Sequence, residues 1–428
     1  MIALARPRNA VETALIGGFA PADARDLREA AMTRFAARGL PTRRDEPWHY
    51  TDLRGALTQA APLAGAPDAL TATALRARLG PARGARVVLV DGHYVAELSQ
   101  AGEGARIGSL TEALAEGAVD DIIGGFGLGG EDAALDLNTA FMQGGALIDV
   151  IAGVDAVIEI VDAATGAEAR ASYVRSAVRV GKGARAQVVE TRLALGGGAH
   201  QRNSALIFDV GDFAGVEHVA ETRGDGEGSV QVQSLLLRTG RGSRFESFAL
   251  ILTGGLWRRQ IFARLDGEGA HVALRGASLL KGREHGDTTL VVEHVARECE
   301  SREFFRTIVD DEATGVFQGK IVVRAEAQKT DGSMKSNALL LKDGAGMFNK
   351  PELEIFADDV QCAHGATCGA LDEDLLFYLQ ARGLPKKDAE ALMIQAFCGE
   401  AIEFVEDEGL RAALNGMVET WLQARAGA

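Results

Sequence analysis

Cysteine is scarce in this chain: four residues in 428, at positions 299, 362, 368 and 398. So few, so scattered, exclude a disulfide-stapled secreted scaffold and point to a reducing compartment, the cytoplasm. Proline is also sparse, at nine residues, and aromatic residues make up only 6%. Basic residues are outnumbered 45 to 60 by acidic ones, giving a formal charge of −15. That balance lacks the electropositive footprint of a nucleic-acid or anionic-membrane binder, so neither partner is expected. The apolar patch at 14–20 follows Glu12, has no basic lead, and is too short to span a bilayer. It reads neither as a signal peptide nor as a membrane segment. No Gly-x4-Gly-Lys-Ser/Thr string occurs, so the chain carries no P-loop for ATP. The run Gly124-Gly-Phe-Gly-Leu-Gly-Gly has no lysine after it and reads as a flexible connection.

Glycine, by contrast, is abundant at 52 residues, and an apolar fraction of 47% with mean hydropathy +0.02 fits a folded globular chain with a large core. Beyond Ala146 the glycines fall into a pattern. Val180-Gly-Lys-Gly, Val210-Gly-Asp-Phe, Thr239-Gly-Arg-Gly and Asp266-Gly-Glu-Gly place their first glycines at 181, 211, 240 and 267, steps of 30, 29 and 27. An alternating strand follows each turn, at 186–191, 216–221, 245–250 and 272–277. A near-constant step of this length means stacked supersecondary units, each burying an inward row against its neighbours, with the end coils in need of caps. The helical flanks are the candidates for those caps.

The flanks read as helical. Residues 1 to about 40 carry Leu27, Ala31 and Phe35 at four-residue spacing, ended by Gly39 and Pro41. A helix spans Thr71 to Leu79, a strand begins at Ala85 with a turn at Asp91-Gly92, and 107–145 is again helical around its glycines. From Asp372, a plausible N-cap, the tail alternates apolar stripes: 373–382, 386–406, and a last helix with Leu410, Leu414, Met417, Trp421 and Leu422. The division is thus 1–145 helical and mixed, 146–370 β, and 371–428 helical.

The stretch from Lys350 to Cys398 organises the rest. If Gln361 to His364 is a strand, Cys362 and His364 share a face about 7 Å apart. A thiolate and an imidazole so placed are competent ligands for a soft or borderline metal. The plain alternative is a small buried thiol beside a hydrogen-bonded edge histidine. Trp48 and Tyr50 read as a packing clasp rather than a ligand platform. Lys329, Thr330 and Asn337 either bind an anion or satisfy turn and ladder hydrogen bonds.

The run Pro351-Glu-Leu-Glu-Ile-Phe-Ala-Asp-Asp-Val-Gln-Cys-Ala-His-Gly-Ala-Thr, continuing through Gly369-Ala-Leu-Asp-Glu-Asp-Leu-Leu-Phe-Tyr-Leu-Gln-Ala-Arg-Gly-Leu, resembles the SufB/SufD family of iron–sulfur cluster assembly proteins, and within it the SufD branch. Glu46-Pro-Trp-His-Tyr-Thr-Asp-Leu is similar to the family's N-terminal motif, and Ala327-Gln-Lys-Thr-Asp-Gly-Ser-Met-Lys-Ser-Asn also fits. The resemblance implies a mainly β fold, a right-handed parallel β-helix between N-terminal and C-terminal helical domains. It implies a non-enzymatic subunit that pairs with SufB and binds the ATPase SufC. It makes His364 the ligand to a nascent cluster, with Cys362 a weaker neighbour, and puts SufC docking on the C-terminal helices, through Leu375, Leu376, Leu379, Leu392 and Phe397. No tightly bound cofactor is expected in the isolated chain, only a transient iron–sulfur cluster in the complex; self-pairing without SufB stays open.

A SufB-like scaffold subunit is the nearest alternative. There the family carries a Glu-His-Glu-Ala type of segment, whereas this chain has Ala363-His364-Gly365-Ala366, which removes a carboxylate and favours the SufD branch. Cys368 stands where family members often have an aliphatic residue; it reads as packed, with an oxidation-prone pair to Cys362 left open. Cys398 reads as packing. From another class, β-helices also host polysaccharide lyases and hydrolases built on carboxylate pairs. Asp358-Asp359 and Asp310-Asp311-Glu312 are the only acidic groups that invite this, and adjacent strand residues face opposite sides.

Overall fold

The structure, a computed structural model, describes residues 6–21, 24–116, 120–223, 226–252 and 254–426. Residues 1–5, 22, 23 and 117–119 of the expected N-terminal helical stretches lie outside the described residues. The repeat becomes two stacked sheets, of ten and nine strands, joined alternately so that each coil gives one strand to each sheet. Between coils the register advances by 27 to 31 residues, Asp155 over Arg185, Gly215, Arg244, His271, Glu300, Asp331 and Gln361. This is a parallel β-solenoid of about seven turns with helices flanking it.

The periodic glycines sit at one corner of four successive coils, where neighbouring turns touch. A Cβ on Gly267 would lie 2.0 Å from the carbonyl carbon of Gly240, and one on Gly240 would lie 2.7 Å from the Asp212 amide nitrogen. No side chain fits there, which is why the glycine returns at each step. The lumen between the sheets is packed with inward rows such as Val188, Phe208, Phe245, Val272 and Ile321. It also holds ion pairs, with Arg192 2.5 Å from Glu190 and both side chains buried.

Each coil contains a second strand that the sequence pattern does not reveal: Ala171–Val180, Gln201–Val210, Val230–Thr239 and Leu256–Leu265. These are covered on both faces, so the period-two alternation is lost. The cover is the N-terminal helices, with Ala133–Phe141 and Arg25–Arg38 packed on the outside of the nine-stranded sheet through Ala31, Phe35, Leu137, Tyr173 and Val232. Polar residues join the same layer: Asn138 donates to the Val174 and Asn203 carbonyl oxygens, both at 2.9 Å. The stretch 107–145 is accordingly not all helical. Ala105–Ser109 is a strand, followed by helices Leu110–Ala115, Asp120–Ile123 and Ala133–Phe141.

The helical flanks do not cap the ends, contrary to expectation. The C-terminal helices Lys386–Ile402 and Glu408–Ala426 lie on the outer face of the ten-stranded sheet, burying Ile394, Cys398, Ile402 and Val418 against Phe248, Leu250, Leu279 and Ile308. The first coil is instead closed by antiparallel strands, His93–Tyr94 on one sheet and Ala105–Ser109 on the other. At the far end nothing among the described residues pairs with the outer edges of Gly346–Ile355 and Gln361–Gly369.

Gly267→Ala is expected to cost more than about 2 kcal/mol, because the methyl group must push two backbone corners apart. Thermal or urea denaturation of the full chain measures this, and a neutral result would mean that the corner contact yields.

Candidate functional site

The open end is built by strand alternation. Met334, paired with His364 in register, is 1% exposed and part of the lumen core. Cys362 and His364 therefore occupy the inward row of the last strand, and Cys362 packs against the lumen core. No coil follows, so His364 is exposed where the equivalent position one coil earlier is buried. Beneath Cys362 the register partner is Gly332. A Cβ on that glycine would lie 3.6 Å from Cys362 Sγ and 3.5 Å from Ser301 Oγ, so the sulfur faces the lumen with only a methyl-sized gap below it. Burial pushes the Cys362 thiol up, helped by the Asp331 and Glu303 carboxyls and opposed by the Gly332 amide. A metal binding there must displace the thiol proton.

Two coils below His364 in the same row is Glu303. It is 2% exposed, and neither of its carboxyl oxygens has a hydrogen-bond partner among the described residues. Burial pushes its pKa up to about 8, against the weaker pull of the Ser301 hydroxyl and Arg302. Ser301 in turn lies 3.0 Å from His294 Nε2. Among the described residues no three His, Cys, Asp or Glu side chains converge to hold a metal ion. Cys362 and His364 are the two potential metal-ligating side chains of this row at the open end.

Cys368 is exposed on the same strand, its sulfur accepting from Asn349 Nδ2 at 3.2 Å. The expectation of a packed Cys368 fails because the row has run out of coils to cover it. A pair with Cys362 is also excluded within one chain, since six residues of strand separate the two by about 20 Å.

The remaining expectations sort cleanly. Trp48 is buried, donates from Nε1 to Asp132 at 2.9 Å and lies under the Arg258 guanidinium at 3.9 Å, while Tyr50 stacks on Phe348 at 5.0 Å. The motif is a clasp between the N-terminal segment and the solenoid. Thr330 donates to the Ala327 carbonyl at 2.8 Å, and Asn337 and Lys329 bond to Thr367 and Asp359. Of the acidic doublets, Asp310 pairs with Arg425 at 2.5 Å, and Asp311 with Lys342. These are ion-paired corners.

On the C-terminal module, Leu375 and Leu392 are exposed, whereas Leu376, Leu379 and Phe397 are half-buried. Phe397 is partly committed to the chain's own packing, its ring 4.8 Å from the Arg306 guanidinium. The helix Glu373–Ala381, capped by Asp372 accepting from the Leu375 amide at 2.9 Å, has no buried residue. Its most exposed apolar side chain is Phe377, at 73%, with Tyr378 beside it. Sequence reasoning passed over both in favour of the leucine stripe. The signal was two aromatics on a helix otherwise too short to cover them.

The fold is thus a parallel solenoid whose last coil is uncapped among the described residues, with Cys362 and His364 in its inward row. Two family profiles match the chain: "SUF system FeS cluster assembly, SufBD core domain" over residues 163–397 and "SufBD protein N-terminal region" over 13–160. The chain is 32% identical to iron–sulfur cluster assembly protein SufD of Escherichia coli over 379 residues, 87% of each chain. It is 28% identical to a SufBD family protein of Synechocystis, covering 95% of this chain and 93% of that one. With SufD of Bacillus subtilis it shares 27% over 180 residues, 42% of this chain and 41% of the other. The chain belongs to the SufBD family of iron–sulfur cluster assembly proteins. Among the described residues no helix is long and apolar enough to cross a membrane.

Glu303 makes stability depend on pH in a known direction. Its folded pKa of about 8 lies above the ordinary carboxyl value of 4.5, so the unfolded chain ionises first and stability falls as pH rises between them. The loss levels off above the folded pKa and totals on the order of 5 kcal/mol. Glu303→Gln is expected to flatten that part of the stability–pH curve, measured by denaturation at pH 5, 6, 7 and 8; an unchanged slope assigns the loss to other groups.

Proposed function

We propose that this chain is the SufD-type subunit of a SufBCD scaffold. Its open end pairs with the corresponding end of SufB, and His364 supplies one ligand, with Cys362 as a neighbour, to an iron–sulfur cluster built between the two subunits. The cluster is cargo, assembled there and passed on. The carrying observation is the uncapped last coil, whose two edge strands and inward donors all face the same opening. Unpaired strand edges complete their hydrogen bonding by adding a neighbour's strands. Exposed Phe348, Ile355 and Phe356 at this end supply apolar contact. Neutral imidazole and thiolate are both competent iron ligands, and two of them hold iron poorly unless a partner adds the rest.

The ATPase SufC docks, on this reading, on the C-terminal module. The support is the patch formed by Leu375, Phe377, Tyr378 and Leu392, exposed on helices anchored to the ten-stranded sheet. Exposed aromatics of this kind are typical interface anchors. With no P-loop in the sequence, nucleotide hydrolysis belongs to that partner.

Co-expression with SufB and SufC, followed by the mass of the purified assembly, tests the partnership. His364→Ala is expected to leave that assembly intact and to abolish cluster maturation in cells; normal maturation removes His364 from the site. Phe377→Asp with Tyr378→Asp is expected to lower SufC co-purification at least tenfold while leaving SufB pairing unchanged. Retained SufC relocates the docking surface.

A further inference from the structure

Arg306 projects from the outer face of strand Glu300–Val309 and is 4% exposed. Its guanidinium lies 4.3 Å from the Phe304 ring centroid and 4.8 Å from that of Phe397. Its two terminal nitrogens bond to different elements. Nη2 donates to the Glu400 carboxylate on helix Lys386–Ile402, and Nη1 donates to Asn337 Oδ1 on strand Asp331–Leu340. Asn337 Nδ2 then donates to Thr367 Oγ1 on the last strand. An unbroken series of charge-assisted and amide hydrogen bonds thus leads from the C-terminal helices to the edge strand, three residues from His364. The belt continues across the opening. Cys368, next to Thr367, accepts from Asn349 on the other edge strand, and Asn349 lies between Phe348 and Lys350, which the N-terminal clasp holds through Tyr50 and Glu46.

We propose that Arg306 is a positioning residue that transmits the placement of the C-terminal helical module to the edge strand Gln361–Gly369 and so to His364. Among the described residues no strand pairs with its outer side, so this side-chain series adds to a one-sided ladder with Asp331–Leu340, the Cys362 packing and the Asn349 contact. A rigid fork suits the task, because guanidinium geometry fixes both acceptors at once whereas an ammonium group does not. A partner that shifts the helix carrying Glu400 therefore shifts or frees the strand carrying the imidazole. This rests on the reading of that strand as the cluster site and of the helices as a docking module. Its test needs neither partner.

Hydrogen exchange of the isolated full-length chain, resolved by peptide, reads the coupling. Glu400 is surface-exposed on the helix and Thr367 is exposed on the strand, so Glu400→Ala and Thr367→Val leave the core filled. Glu400→Ala is expected to speed exchange across 361–369 about tenfold while the interior strand Arg244–Leu252 is unchanged. Combining it with Thr367→Val is expected to add nothing to Thr367→Val alone, as for two links of one series. Unchanged exchange at 361–369 in Glu400→Ala, an equal rise in every strand, or multiplying effects in the double variant would overturn the proposal. Failure of SufB or SufC to co-purify leaves this result untouched and counts against the functional reading instead.

Discussion

In a parallel solenoid the backbone of each coil is satisfied by the coils on either side, and the chain has to end somewhere. This protein treats its two ends differently. The first coil is blunted by short antiparallel strands, His93–Tyr94 and Ala105–Ser109, which stop further parallel addition. The last coil is left as two full-length edges, Gly346–Ile355 and Gln361–Gly369. Moving the helical modules from the ends to the outer faces leaves that opening clear. An edge of such length is an aggregation hazard unless a partner covers it, so the open end is the feature from which the pairing reading follows.

The same constraint explains how a core position becomes an exposed one. Along the inward row, Leu274, Glu303, Met334 and His364 succeed one another in register. The first three are sealed by later coils. His364 obeys the same alternation and points the same way, yet has nothing above it. Geometry that makes Met334 core makes His364 available, and no special loop is needed to present it. Cys362 is half-sealed because it still touches the lumen core, which accounts for its raised thiol pKa.

Much of this was legible in the sequence, for identifiable reasons. The glycine step showed because a corner that admits no Cβ forces the same residue over four successive turns, as at Gly240 and Gly267. Strands of the ten-stranded sheet showed where one face is less buried, as in Arg185–Ala194. Strands of the other sheet did not, because helices cover their outer face; Val230–Thr239, with Gln231 and Gln233 buried among leucines, carries no period-two signal. Cys362 and His364 were legible as a pair from strand alternation alone. Their exposure was not, since it depends on where coiling stops. Arg306 could not be found from sequence: its partners lie 94 and 31 residues away, and nothing local marks an arginine as a strut. Phe377 was overlooked because a leucine stripe explains a helix equally well as core.

On the proposed function, a site split between chains suits what it has to do. A complete donor set buried within one solenoid would hold its metal behind a continuous wall of strands, and release would require breaking ladder hydrogen bonds along whole coils. Two donors at a rim, about 7 Å apart on one strand, make a half-site that is complete only while another chain supplies the rest. Opening the interface then returns the cluster to solvent without unfolding either subunit. That scheme works only if the rim can be moved from outside. The helices on the ten-stranded sheet reach it through Arg306, and the N-terminal clasp reaches the opposite edge through Tyr50 and Glu46. Each outer module is thus linked to one of the two edges, and the opening lies between those links.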